Sequence, residues 1–227
     1  MDPSDKALLD FLEKMVNDNR LELLDKIMKD RTRYITVMLE DIFQPHNASA
    51  VLRTCDCFGI QDVHIVENRN EYTINPEVEL GSAQWLNIHR YKKPENNTHA
   101  AIAYLKASGY RIVATTPHTD DINLPDFNLE KGPAALLFGT EMRGLSEQAI
   151  ELADEYLKIP MFGFSESLNI SVSVAIILQS LKTKLSNSEI NWQLNDDERE
   201  LIQLQWIKNS VKNSKIIERD FKKRYQN

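Results

Sequence analysis

Thr98-His99-Ala100-Ala101-Ile102-Ala103-Tyr104-Leu105-Lys106-Ala107-Ser108-Gly109-Tyr110-Arg111-Ile112-Val113-Ala114-Thr115-Thr116 reads as a helix, a stop and a strand. Alanine and leucine favour the helix from about Thr98 to Ser108, and Gly109 supplies the left-handed residue on which such a helix ends. Arg111 to Thr116 is then β-branched and apolar, as a buried strand is. The same order recurs on both sides. Ile35 to Leu39 is a strand, Asn47 to Phe58 a helix stopped by Gly59, and Asp62 to Glu67 a strand. Further on, Ala134 to Phe138 is a strand, Ser146 to Ala153 a short helix, Tyr156 to Ile159 a last strand, and Ser167 to about Leu185 a long helix rich in Ile, Val and Leu. Strands alternating with helices predict an α/β fold, a mostly parallel sheet covered by helices on both faces.

Outside this region the pattern changes. From Ser4 to about Lys29, Leu8, Leu9, Leu12, Met15, Leu23, Leu24 and Ile27 recur at helical spacing among charges, predicting one or two amphipathic helices. Asn187 to Asn195 is a polar linker, and Asp196 opens a charged helix running towards Tyr225. The expected organisation is therefore an N-terminal helical extension over 1–33, the α/β domain over 34–187 and a basic helical extension over 188–227.

Composition narrows the function. The 227 residues are 42% hydrophobic and 27% charged, with a formal net charge of −7, which argues against indiscriminate coating of nucleic acid. Between Lys208 and Asn227, seven basic residues against two acidic ones give a local +5, leaving −12 for the remainder. An RNA surface, if the protein has one, is local. The strongly apolar stretch Ile170 to Leu178 is far short of the roughly 20 residues that span a bilayer, so no membrane segment is expected. Cys55 and Cys57 and the start Met1-Asp2-Pro3-Ser4-Asp5-Lys6 favour the cytoplasm. The histidines His46, His64, His89, His99 and His118 are not spaced as partners for a metal, and none is expected.

In an open α/β sheet the ligand site lies beyond the carboxyl ends of the strands. Three loops there carry unusual residues. Gln44-Pro45-His46-Asn47-Ala48-Ser49-Ala50-Val51-Leu52-Arg53-Thr54 places Asn47 and Arg53 six residues apart near the start of a helix, where a polyanion is favoured. Taken alone, Asn47 reads as a helix cap and Arg53 as a surface charge. Gly139-Thr140-Glu141-Met142-Arg143-Gly144-Leu145-Ser146 follows an apolar strand, with a glycine that lets a ligand approach the backbone. Ile159-Pro160-Met161-Phe162-Gly163-Phe164-Ser165-Glu166-Ser167-Leu168-Asn169-Ile170-Ser171-Val172-Ser173 joins an apolar wall suited to adenine to a polar Ser-Leu-Asn triplet.

In this order the three loops resemble the motifs of the SPOUT methyltransferase superfamily, specifically its TrmH group of RNA ribose 2′-O-methyltransferases. The resemblance covers roughly Arg31 to Leu185 and rests on Pro45-His46-Asn47, Arg53-Thr54, Ile159-Pro160-Met161 and Ser167-Leu168-Asn169-Ile170-Ser171-Val172. It implies S-adenosyl-L-methionine as cofactor, a C-terminal deep trefoil knot, a homodimer whose active site is completed across the interface, and methylation of the guanosine ribose at position 18 of the tRNA D-loop. Carried onto this chain, it implies a cofactor pocket of Thr115, Gly139, Ile159, Met161 and Leu168. Catalytic roles fall to Arg53, Asn47, Glu141, Ser167 and Asn169. Arg31 corresponds to an arginine that holds RNA, and Lys222, Lys223 and Arg224 in the basic tail are expected RNA contacts. The same fold also serves methylation of rRNA or of the tRNA wobble nucleotide. A non-catalytic RNA-binding protein would be expected to lose Arg53 or the Ser167-Leu168-Asn169 triplet, and this chain keeps both. The resemblance casts Arg53 as proton acceptor, but a guanidinium carries donors and no acceptor, so orienting the ribose and stabilising oxyanion charge fits its chemistry better.

Overall fold

The computed structural model describes residues 1–73, 75–93, 96–117 and 121–225; His118, Gln226 and Asn227 fall outside them. Two compact units divide the chain, residues 32–192 as one and 1–31 together with 193–227 as the other.

The larger unit is built on a seven-stranded sheet. In chain order it holds β1 (Ile35–Glu40), α3 (Pro45–Cys57), β2 (Asp62–Val66), the short α4 (Pro76–Glu79), β3 (Asn87–Tyr91), α5 (Asn97–Ala107), β4 (Arg111–Thr115), β5 (Ile122–Asn123), β6 (Ala134–Phe138), α6 (Glu147–Glu151), β7 (Glu155–Lys158) and α7 (Ile170–Ser186). The smaller unit contributes α1 (Pro3–Glu13) and α2 (Asp18–Met28) before it, and α8 (Asp196–Ser210) and α9 (Ser214–Tyr225) after it. The strand order is β3-β2-β1-β6-β4-β7-β5, and every pairing is parallel.

Strand periodicity explains the layers. Ile35, Val37 and Leu39 of β1 and Ala134, Leu136 and Phe138 of β6 pack with Val51, Leu52 and Cys55 of α3 and Val174, Leu178 and Leu181 of α7 in one core. Met38, Ala135 and Leu137, one residue out of step, join Ala101, Ile102 and Leu105 of α5 and Ala149 of α6 in a second core. β1 and β6 are therefore buried on both faces, which is why they lack a polar alternation. They also lie side by side at the point where the strand order reverses direction: β1 continues outward to β2 and β3, whereas β6 leads to β4 and β7. An open α/β sheet has a crevice at such a switch point.

Two strands were not expected. β3 carries Asn87, His89 and Arg90 and is only half-buried at the sheet edge, so hydrophobic patterning does not reveal it. β5 is two residues long. The charged C-terminal helix is also two helices rather than one, because Asn213 takes a left-handed φ of 59° between them.

In the smaller unit, Leu8, Leu12, Ile202 and Trp206 are buried, and the Phe11 and Phe221 rings sit 5.1 Å apart. Arg31 is only 2% exposed, its guanidinium 5.0 Å from the Trp206 ring centre. Lys222 pairs with Asp5 at 3.1 Å and Glu218 at 3.0 Å.

Candidate active site

The loops after β1 and β6 converge on the crevice between those strands. At the start of α3, Pro45 occupies the first turn, where its missing N–H costs nothing, and Gln44 is the cap residue without a side-chain cap bond. Asn47 is thus inside the helix rather than capping it, and it is 5% exposed. Its Nδ2 donates to Gln44 Oε1 at 3.1 Å and to Glu141 Oε1 at 3.0 Å. The third loop closes the arrangement. Asn169 Nδ2 donates to Asn47 Oδ1 at 3.2 Å and also to Glu141 Oε1, while Asn169 Oδ1 caps α7 by accepting from Ser171 N at 2.9 Å. Two amides thus converge on one carboxylate oxygen, and bonds to an ionised acceptor are stronger than neutral ones.

A second carboxylate braces the floor. Glu40, at the end of β1 and 2% exposed, accepts from Ser146 N and Ser146 Oγ at 2.8 Å each and from Thr98 Oγ1 at 2.5 Å. Between these braces, residues 140–144 fold back on themselves, Thr140 N donating to Gly144 O at 3.0 Å and Gly144 N to Thr140 O at 2.8 Å. A Cβ on Gly139 would fall on the Gly144 carbonyl and the Leu145 amide, so this loop closes only over a glycine.

Thr115, Gly139 and Ile159 follow or end β4, β6 and β7, three adjacent strands, and therefore lie along one edge of the sheet. Thr115 Oγ1 donates to Leu137 O at 2.7 Å. Ile159 packs against the larger core, Leu168 is half-buried, and Met161 is 37% exposed.

The family described as SpoU rRNA Methylase matches residues 34–179, the span of this sheet and these loops. The chain belongs to that family. It is 43% identical over 218 residues to the tRNA (guanosine(18)-2′-O)-methyltransferase of Borreliella burgdorferi, covering 96% of this chain and 98% of that one. Among solved structures, it resembles the TrmH/SpoU tRNA modifying enzyme of A. aeolicus with a TM-score of 0.75 and 28% identity, over 89% of this chain and all of that one. It also resembles an AdoMet-bound rRNA methyltransferase from Sinorhizobium meliloti, with a TM-score of 0.58 and 25% identity over 69% of this chain and 58% of that one.

Within this SpoU methylase, the residues singled out in the sequence divide into two sets. Asn47, Glu141 and Asn169 meet. Arg53 and Ser167 do not join them: both are exposed, and the described residues give Arg53 no hydrogen bond or ion pair. Arg31 is buried, with its guanidinium over the Trp206 ring. Lys223 and Arg224 are exposed on α9. Among the described residues, no helix is long and apolar enough to cross a membrane. Glu40, Gln44 and Asp41 also belong to the site; an acid closing a mostly apolar strand is the sequence signal for Glu40.

Proposed function

We propose that this SpoU methylase transfers a methyl group from S-adenosylmethionine to the 2′-hydroxyl of guanosine 18 in the D-loop of tRNA. The observation that carries the reading is the closed triangle of Asn47, Glu141 and Asn169, which draws the three motif loops to one point. The name of the B. burgdorferi relative, matched over nearly its whole length, supports the guanosine and its position.

The residues present fit the cofactor. Main chain at the ends of β4, β6 and β7 together with Ile159, Met161 and Leu168 offers backbone hydrogen-bonding groups and apolar side chains, which suit the adenine of a cofactor whose charges sit on its sulfonium and its amino-acid end. When bound, the cofactor supplies an electrophilic methyl on a sulfonium sulfur. The chain's own work is positioning. Asn47 and Asn169 hold the Glu141 carboxylate, which keeps the loop after β6 facing the start of α3. Arg53, exposed on α3, orients the ribose and stabilises negative charge on its oxygen; the proton leaves to solvent or to an RNA phosphate. Lys223 and Arg224 grip tRNA phosphates.

Two further parts belong to the reading. The trefoil knot forms where the segment between β7 and α7 passes the loop after β6. The protein is a homodimer, for which Val172 and Ile176, apolar, four residues apart and exposed on α7, supply a face that needs covering.

The test is methyl transfer from labelled S-adenosylmethionine to a tRNA transcript, with the modified ribose mapped by primer extension. Methylation is expected at guanosine 18 and abolished by a 2′-deoxy substitution there. Label at the wobble nucleotide, or in an rRNA fragment only, overturns the assignment.

A further inference from the structure

Beside the triangle, a cleft of about 1010 Å³ opens between the loops after β1, β2 and β6. That is at the upper end of the roughly 300–1,000 Å³ of sites that hold small ligands, and leaves room for more than the reacting nucleoside. Its charges are unevenly spoken for. Of the four acids around it, Glu40, Asp41 and Glu141 already accept from the protein's own donors, leaving Glu147. Its two arginines, Arg69 and Arg143, are exposed, and the described residues give neither side chain a hydrogen bond or ion pair.

Both arginines stand on backbone that the protein holds in place. Asp41 adopts a left-handed φ of 54°, unusual for a residue with a side chain. In that conformation its carboxylate accepts from Asn68 N at 2.7 Å and Arg69 N at 2.8 Å, and its carbonyl accepts from Asn70 Nδ2 at 2.7 Å. Local strain is tolerated where it fixes a functional loop, and here it fixes the loop that presents Arg69. Arg143 is anchored through its own N–H, which donates to Thr140 Oγ1 at 3.1 Å. Phe43, also on the lining, is 74% exposed, an aromatic face available for stacking.

Unpaired guanidinium groups, a rigid backbone and an exposed ring beside a ribose-modifying centre form a recognition set for single-stranded RNA. We infer that this cleft holds the nucleotides flanking the target in the tRNA loop, with Arg69 and Arg143 on their phosphates and Phe43 stacked on a base. The inference rests on the proposed tRNA substrate and adds the residues that select an unpaired strand there.

Filter binding of the tRNA transcript across a salt series tests it, with methyl transfer by the parent protein measured in parallel. Arg69→Ala with Arg143→Ala is expected to weaken binding at least about tenfold and to flatten the slope of log affinity against log salt by up to about 1.4 to 1.8, at roughly 0.7–0.9 per phosphate. Arg69→Lys with Arg143→Lys keeps the charges and recovers part of the affinity. Phe43→Ala weakens binding without changing the slope, because it removes stacking and no charge. All three positions are on the surface, so an unchanged melting temperature certifies the fold. If the double alanine variant binds with the parent's affinity and slope while the parent methylates tRNA, the cleft assignment is wrong and the proposed function stands. If the parent neither binds nor methylates tRNA, both fall together.

Discussion

Asn47 Nδ2 lies 3.0 Å from Glu141 Oε1, a hydrogen bond between residues 94 positions apart in the chain. It pins the loop after β6 to the first turn of α3, across the switch point of the sheet. Asn47→Ala removes one of two amide donors from a carboxylate, and Asn47→Asp places a second carboxylate against it. Methyl transfer is expected to fall by about 10²-fold in the alanine variant, the scale of a roughly 1 Å misplacement, and further in the aspartate variant through like-charge repulsion. Rates for both and their urea midpoints decide the matter; an aspartate variant as active as the parent removes this contact from the site.

The glycines of the neighbouring loop should behave unequally. At Gly139 an added methyl collides with backbone, which has no flexible end to yield, whereas at Gly144 it meets nothing within 4 Å and suffers only the φ of +67°. Gly144→Ala should cost about 1–2 kcal/mol for a left-handed non-glycine residue. Gly139→Ala should cost more and abolish activity, because residues 140–145 must move. Chemical denaturation of the two variants gives the comparison, and equal losses would mean that the loop rearranges freely.

Much of this architecture could be read from local pattern. β1, β4 and β6 announce themselves as β-branched or apolar runs, and Gly59 and Gly109 end their helices at φ values of 74° and 84°. β3 escaped because an edge strand with Asn87, His89 and Arg90 has the composition of a loop. The joining of both terminal segments into one unit escaped because it depends on contacts such as Phe11 with Phe221, which leave no periodic trace. In the site, the three loops were legible as motifs, but the clamp by Asp41 was not, since a left-handed aspartate looks like any other in sequence. Arg31 shows the same limit: its position matches an RNA-holding arginine, while its contact with Trp206 has no trace in the sequence.

The edge of the sheet carries a pH dependence. His64 is buried, stacks on His89 with ring centres 4.6 Å apart, and bonds through Nδ1 to the Tyr91 hydroxyl at 3.0 Å. Burial, then the neighbouring His89, push its pKa down to about 4 from 6.5, against the opposing pull of Asp62. The imidazole is therefore neutral in the folded protein, while the unfolded chain takes up a proton below about pH 6.5. Its contribution to stability is complete above that pH and shrinks as pH falls towards 4, by on the order of 2 kcal/mol between about pH 7 and pH 5. His64→Asn, which can still bond to Tyr91, should flatten that part of the curve. Urea midpoints at the two pH values check it; identical pH slopes for variant and parent would refute the assignment.

Arg53 stands apart from the triangle, exposed and without a hydrogen bond or ion pair among the described residues, although its motif begins at Asn47 in the same helix. A catalytic arginine so placed serves either a site on its own chain, through movement, or a site on a second copy. The proposed homodimer selects the second. Arg53→Ala and Asn169→Ala should each abolish methyl transfer, the first with little loss of stability, because no hydrogen bond or ion pair among the described residues is removed. Arg53→Lys should fail too, since a point charge does not reproduce the planar fork. When the two alanine variants are co-expressed, random pairing makes half the dimers mixed. Each mixed dimer has one site lacking both groups and one with neither mutation, so about a quarter of the parent's activity should return. If Arg53 serves its own chain, every site carries one lesion and nothing returns. Purifying the mixed dimer through two different affinity tags and assaying it alone separates these outcomes, and an inactive mixed dimer would place Arg53 in the site of its own subunit.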